Sequence, residues 1–482
     1  MKKLAAFCDA FQSKTSWGFR TAALAAVASL FAASASAQAQ TVTTLYNFSN
    51  SSSTAVQPIY TVAQGTDGNF YGVTAGPSVG SVYKITPAGS FTVLHQLAQA
   101  EGQTCNGLVL GTDGNLYGTC LNGGNSSGFG TIFKITSAGA LTVLHTFAGG
   151  TTDGCYPVGL PVQASDGNFY GTTKSCGTNN VGIAYKMTSS GTLTVLHSFG
   201  ASSTDANQPE GALIQGSDGN LWGTSNASSS GGTGTVYKMT TAGKVTVVHQ
   251  FVGCGSNGCY PTAGLVQAKD GNYYGTTEQG GASSEGVVFK ITPAGVLTVL
   301  HSFNTAKDNG AYPQLQLTLG TDGNLYGVAT DCISGGCSQA DIFKVTTKGV
   351  FTDVYNFPDL GGNSNSAPVS PLLLSTNGTF YSATQEGGTS SSGTFFSLVD
   401  GQTAFALTQQ SSGKVGAKIG ILGQGFSSSP VVKFNGTKAT TFTVTGTTYI
   451  TATVPTGATT GNITVTTGST TLTSFAKFTV TK

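Results

Sequence analysis

Along most of the chain, apolar and polar positions alternate in short runs broken by Gly, Ser, Asn and Asp. Val288-Phe289-Lys290-Ile291-Thr292 and Thr298-Val299-Leu300-His301-Ser302-Phe303 are representative, with the turn Pro293-Ala294-Gly295 between them. A period of two bounded by turn residues predicts strands with one buried face. The runs also recur in register. Asp-Gly-Asn appears at Asp67, Asp113, Asp166, Asp218, Asp270 and Asp322, and a degenerate copy is Asn377-Gly378-Thr379. The steps are 46, 53, 52, 52, 52 and 55 residues. An aromatic pair or near-pair follows each, as in Phe169-Tyr170 and Leu221-Trp222. Asp-Gly between two β-rich runs is a strong hairpin signal, because Gly takes a positive φ at little cost. Each unit therefore holds four strands: one before the Asp-Gly-Asn turn, one after it, a Lys-bearing run and a His-bearing run. The units are numbered 1 to 7 below, in the order of these turns.

Four short strands in about 50 residues, repeated, predict an all-β protein built on a seven-bladed β-propeller. A β-solenoid is the alternative, with shorter periods and no need to close. Closure favours the propeller. The fourth-strand motif occurs as Thr43-Thr44-Leu45-Tyr46-Asn47-Phe48 ahead of any Asp-Gly-Asn, whereas unit 7 ends at Phe395-Phe396-Ser397-Leu398 without an equally good fourth strand. The strand at the start completes the sheet left open at the end, which removes exposed edges. Residues 403–408 compete for the same place.

The units Asp113-Gly114-Asn115-Leu116-Tyr117-Gly118-Thr119, Val288-Phe289-Lys290-Ile291-Thr292 and Thr298-Val299-Leu300-His301-Ser302-Phe303 resemble the GloVer tandem repeat of choice-of-anchor bacterial surface proteins, over about residues 42–402. The resemblance implies export and display rather than a defined activity. No hydrophobic tail or sorting motif precedes Lys482, a departure from the anchored pattern that the resemblance implies, and the mode of anchoring stays open. From about Phe405 the period stops and Thr and Val rise. Gly420–Phe426, Val431–Gly436, Thr451–Pro455 and Gly461–Val465 read as short strands with Gly and Asn turns. They predict an immunoglobulin-like β-sandwich and resemble an IPT/TIG domain. The expected organisation is a signal peptide over 1–37, the propeller over 38–402 and the sandwich over 403–482.

Composition sharpens this picture. Only 9% of the 482 residues are charged, 69 are Gly and 39% are hydrophobic, which suits a packed β protein with many tight turns. Lys2, Lys3, Lys14 and Arg20 precede the apolar run Ala22–Ala33 and the small residues Ala35-Ser36-Ala37. That is a secretory leader, cleaved after Ala37 or Ala39, and its apolar run is too short to span a bilayer. The remainder carries 17 basic against 19 acidic residues and no Arg. Without the guanidinium fork or a basic cluster, nucleic acid is not an expected partner.

Most residues that invite a chemical reading recur in register. His95, His145, His197, His249 and His301 hold one repeat position, filled by Tyr46 and Tyr355 elsewhere, and read as packed, hydrogen-bonded aromatics. The Asp-Gly-Asn acids supply one carboxylate each, against the six to eight oxygens that calcium takes, and read as turn formers. Lys84, Lys134, Lys186, Lys238, Lys290 and Lys344 read as edge protection and stem packing. Glu278, Glu285, Asp341 and Glu386 break the symmetry and are the candidate loop-face binding residues. Eight Cys remain after the leader. Cys105 and Cys120 are centred on one Asp-Gly-Asn hairpin, and Cys155 and Cys176 on the next. The expected disulfides are Cys105–Cys120, Cys155–Cys176, Cys254–Cys259 and Cys332–Cys337.

No catalytic set, metal site or cofactor is expected. The leading expectation is a secreted or cell-surface monomer, without a transmembrane segment after cleavage, that binds a glycan, polymer or protein through the varied loops between second and third strands. A carbohydrate-active hydrolase or lyase is the alternative, and a purely structural surface protein is a third.

Overall fold

Each Asp-Gly-Asn turn folds the strand before it onto the strand after it. In unit 3, Val162–Gln163, Phe169–Thr173, Ile183–Met187 and Leu193–Ser198 pair antiparallel in that order. The computed structural model describes residues 40–481, apart from 50–56, 76–79, 306–307, 309, 334–335 and 358–367, and of residues 331–339 it describes the backbone alone. The expected leader lies outside the described residues, which are all-β. None of them forms a helix long and apolar enough to cross a membrane.

The four-stranded pattern repeats along the chain to give a propeller-like array of sheets. Units 1 and 2 join through a parallel bridge between Thr61 and Gly107. There a Cβ on Gly107, which has φ +110°, would lie 2.3 Å from the Thr61 carbonyl oxygen, so only glycine allows the approach. Unit 7 borrows its outermost strand: Thr41–Asn47 pairs antiparallel with Thr394–Val399. The competing segment goes elsewhere, since Leu407–Thr408 pairs with Lys418–Leu422 in the C-terminal sheets.

Neighbouring units meet through buried rings. Tyr117 packs on Phe169 at 4.1 Å between centroids, Trp222 stacks on Tyr273 at 3.9 Å, and Phe70 packs on Tyr381 at 4.1 Å. The last of these joins unit 1 to unit 7 with the same kind of contact that joins consecutive units. A glutamine three residues before the turn Asp repeats the lesson. Gln163, Gln215 and Gln267 accept from backbone N–H groups of Thr112, Ser165 and Ser217 in the preceding unit at 2.8–2.9 Å. Gln64 of unit 1 accepts from Thr376 N of unit 7 at 3.1 Å, across 312 residues of sequence. Unit 7 has Leu374 at that position, and Gln402 substitutes from beyond the last strand, accepting from Thr321 N at 2.6 Å.

The C-terminal strands form two four-stranded sheets, and a two-stranded parallel one of Ser412–Lys414 with Thr479–Thr481, around a core that includes Ile421, Phe434, Ile450 and Val465. They lie against the side of the array that carries the Asp-Gly-Asn turns, here the turn face. Thr448 Oγ1 donates to Thr66 O at 2.7 Å, Gln409 Nε2 to Gly111 O at 3.0 Å, and Gln424 Nε2 to Thr376 Oγ1 at 2.8 Å. Phe475 packs into the cores of units 6 and 7.

Candidate functional site

The periodic residues turn out to partner one another. In unit 3, Asp166 accepts from the backbone and side chain of Asn168 at 3.1 and 2.9 Å, and from Tyr170 Oη at 2.8 Å. Tyr274 Oη reaches Asp270 at 2.7 Å in the same way, and Trp222 Nε1 reaches Asp218 at 3.3 Å. In unit 7 the polarity reverses, and Asn377 Nδ2 donates to Tyr381 Oη at 3.0 Å. Burial opposes the charge of Asp166, but hydrogen bonds from Asn168 and Tyr170 and the nearby Lys186 ammonium outweigh it and hold its carboxyl below the usual range. Asp270 is lowered likewise, with Lys290 in the same role. Every oxygen faces a donor inside its own unit, which leaves the turn acids as structural.

Four of the histidines meet an acid. His95 Nε2 lies 2.8 Å from Glu101, His145 3.2 Å from Asp153, His197 2.8 Å from Asp205 and His301 2.9 Å from Asp308. Each of these carboxylates also accepts a backbone N–H, from Ala98, Ala148, Ala201 and Asn304 respectively. The pair therefore braces the loop that leads into the next unit. The acid follows its His by six to eight residues, a spacing visible in the sequence and passed over there. After His249 the loop is closed by the Cys254–Cys259 disulfide. Cys105–Cys120 and Cys155–Cys176 are also bonded. Cys332 and Cys337 face each other in backbone register, but their side chains lie outside the described residues.

The first strands of the units gather round a cavity of about 470 Å³, lined from Tyr60 in unit 1 to Pro371 in unit 7. At its turn end the lining includes Gln409 of the C-terminal sheets, which is held by its bond to Gly111 O and by Tyr449 Oη at 2.7 Å. At the opposite, loop end the unit-by-unit series is no longer uniform. Val158, Glu210, Thr262, Gln314 and Val369 hold the equivalent place in units 3 to 7, so the wall is polar across units 4 to 6 and apolar on either side. Tyr60, 43% exposed, continues the apolar side. Eight residues after the turn Asp, Lys174, Asn226 and Glu278 replace the small, apolar or neutral residues of other units.

These side chains interact. The Lys174 ammonium pairs with Glu210. Burial first, and then the negative charge of Glu210, push the Glu278 carboxyl up, against a hydrogen bond from Gln314. Thr262 Oγ1 and Asn226 Oδ1 are buried with no hydrogen-bond partner among the described residues. Of the four acids singled out by sequence, Glu278 is tied to this mouth by such an interaction. The Glu285 carboxylate accepts from the Thr305 backbone N–H at 2.5 Å and from the Thr305 hydroxyl at 3.0 Å. Glu386 is partly exposed in a turn whose backbone carbonyl accepts from Thr384 Oγ1 at 2.8 Å. Asp341 is fully buried, and burial, then the charges of Asp353 and Asp308, raise its carboxyl to about 8. Glu210 and Lys174 were missed by sequence reading, although Glu210 is the one charged residue among its equivalents in units 3 to 7 and Lys174 the one cation in its series. No group of three or more His, Cys, Asp or Glu among the described residues is placed to hold a metal.

Two stretches of the chain, residues 29–161 and 150–340, match the Gloeobacter/Verrucomicrobia repeat. No curated protein matches the sequence. Solved structures with some likeness include TolB from Acinetobacter baumannii, at 14% identity and TM-score 0.37, covering 61% of this chain and 64% of TolB. The chain thus spans less than two thirds of that relative. A protein described as a gluconolactonase has 11% identity and TM-score 0.39, with 76% and 94% coverage. The extracellular domain of a one-component system from B. thetaiotaomicron has 12% identity and TM-score 0.45, with 87% and 57% coverage.

Proposed function

The chain belongs to the Gloeobacter/Verrucomicrobia repeat family, and on that footing we propose that it is an exported, non-catalytic scaffold that binds an extracellular ligand at the loop-end mouth of its central cavity. In this reading the array is a seven-bladed propeller, residues 403–482 are an immunoglobulin-like IPT/TIG domain, and the mature protein is a monomer at or beyond the cell surface. Supporting the ring are the Thr41–Asn47 strand on unit 7 and the Gln64 bond across the same joint. Supporting export are three disulfides, which persist in oxidising surroundings.

The observation that carries the binding reading is the polar arc of Glu210, Thr262, Gln314 and Glu278, which breaks the repeat where the cavity opens. A concave, mostly apolar space with a few convergent polar groups is the usual form of a ligand site. Arrays of glycans, cell-wall polymers and proteins probed with the chain from residue 38 onward test it. A hit weakened by Gln314→Ala supports the reading, and silence on every array leaves the structural surface protein. One observation favours a second reading: burial first, and then the charge of Glu210, raise the Glu278 carboxyl, the kind of environment that hydrolases give a catalytic acid. Release of reducing ends from a polysaccharide, abolished by Glu278→Gln, would establish it.

A further inference from the structure

We propose that the loop-end mouth receives the end of a neutral glycan chain, inserted one or two sugars deep. The inference rests on the binding reading above and specifies its ligand. Shape comes first. A cavity of about 470 Å³ lies within the range of small-molecule sites, roughly 300–1,000 Å³. Gln409 stands in the lining at the turn end and is fixed there from both sides, so a polymer is not threaded through the ring. A chain end is what such a recess accepts.

Chemistry narrows the ligand. A sugar ring offers an apolar C–H face and a rim of hydroxyl groups that both donate and accept. The mouth has matching halves: Glu210, Thr262 and Gln314 on one side, and Val369, Pro371 and the half-exposed Tyr60 ring on the other. Aromatic faces and polar tips suit such amphipathic partners. A wholly apolar ligand would strip water from the partly exposed Glu210 and the exposed Gln314 in the lining without replacing its hydrogen bonds, which is costly, whereas sugar hydroxyls can bond to both side chains. A phosphate or uronate would meet the carboxylates of Glu210 and Glu278. The one ammonium at the mouth that the structure pairs with them, Lys174, is already engaged by Glu210. No Arg follows the leader to offer a bidentate clamp.

The test is calorimetric titration of the full mature chain with cellotetraose, maltotetraose, xylotetraose, mannotetraose and tetra-N-acetylchitotetraose, with tetragalacturonate and inorganic phosphate as charged counterparts. At least one neutral tetrasaccharide is expected to bind one-to-one, and at least tenfold more tightly than tetragalacturonate or phosphate. Glu210→Gln and Gln314→Ala should each weaken it at least tenfold, with unfolding midpoints recorded to exclude misfolding, and Lys414→Gln on the C-terminal sheets should not. A bulky fluorophore on one end of the sugar should abolish binding and on the other end leave it. No neutral binding, or equal binding of tetragalacturonate or phosphate, overturns the glycan assignment. A peptide or protein that then binds and is lost in Gln314→Ala would preserve the binding reading without it. Sugar binding indifferent to both mouth variants removes this site while leaving a scaffold that binds elsewhere.

Discussion

The two faces of the ring are built from the same repeat and differ in how their acids are treated. On the turn face each Asp carboxylate accepts from a neighbouring Asn and, in most units, from a buried Tyr. On the loop face Glu278 and Asp341 sit among like charges, both with carboxyls held above the ordinary range. The difference separates two kinds of residue. The recurring turn acids are satisfied and stabilise the fold, whereas Glu278 at the mouth and the buried Asp341 are left beside like charges. Neutralising them should therefore move stability in opposite directions.

The largest effect is expected at Asp341. Its carboxyl, raised to about 8, takes up a proton on folding, so stability falls as pH rises from about 4 toward 8 and is flat above. Asp341→Asn should be a few kcal/mol more stable than the parent at pH 9 and about equal to it at pH 4. Urea denaturation at the two pH values reads this directly, and a destabilised variant at pH 9 would break the comparison. On the turn face Asp270→Ala should cost about 1–2 kcal/mol, because it removes the acceptor of the part-buried Tyr274 Oη and the bonds that shape the turn at Asn272. The lowered pKa of Asp270 gives the opposite pH sign: its contribution is present above the unfolded carboxylate pKa and lost as pH falls through the folded one. A thermal midpoint for Asp270→Ala within error of the parent would sink the claim that repetition marks structural need. Gln64→Ala should cost about 1–2 kcal/mol, since it leaves the buried Thr376 N–H unpaired at the joint between units 1 and 7. A cost equal to that of Gln215→Ala at an inner joint would show that the closing joint is no weaker than the rest. The smallest effect is expected for Glu278→Gln, within about 0.5 kcal/mol in stability. Its consequence should lie in ligand binding, and a large melting shift would reassign Glu278 to the structural class.

Strand order and the ring joint could be read from the chain because the turn signal recurs at nearly constant spacing, and because the unmatched Thr43–Phe48 motif mirrors the gap after Leu398. Two of the disulfides followed from distances measured to the turn, and Cys254–Cys259 followed as a local bridge between cysteines that remained. The histidine braces were only half legible. The shared position showed that His is structural, but the partner acid sits at a spacing of six, seven or eight residues that loop length alone permits. The mouth was the least legible part. Lys174, Glu210 and Glu278 belong to three different units and are 36 to 104 residues apart. Their meeting depends on how neighbouring units incline toward the axis, which no local pattern encodes.

The joint between units 1 and 7 also bears on how the molecule carries force. Thr41 lies opposite Val399 at one end of an antiparallel ladder, so the two strands leave it side by side. A pull between the amino-terminal side and the C-terminal sheets would open that ladder like a zipper, one hydrogen bond at a time. Just past Val399, however, Asp400 accepts from Tyr326 Oη at 2.6 Å and from the Lys344 ammonium at 3.2 Å, and Gln402 holds Thr321. Those bonds anchor the exiting strand to unit 6, so tension reaches the neighbouring sheet before it reaches the seam. Load arriving from the C-terminal sheets is therefore shared with unit 6 before it reaches the Thr394–Val399 side of the seam.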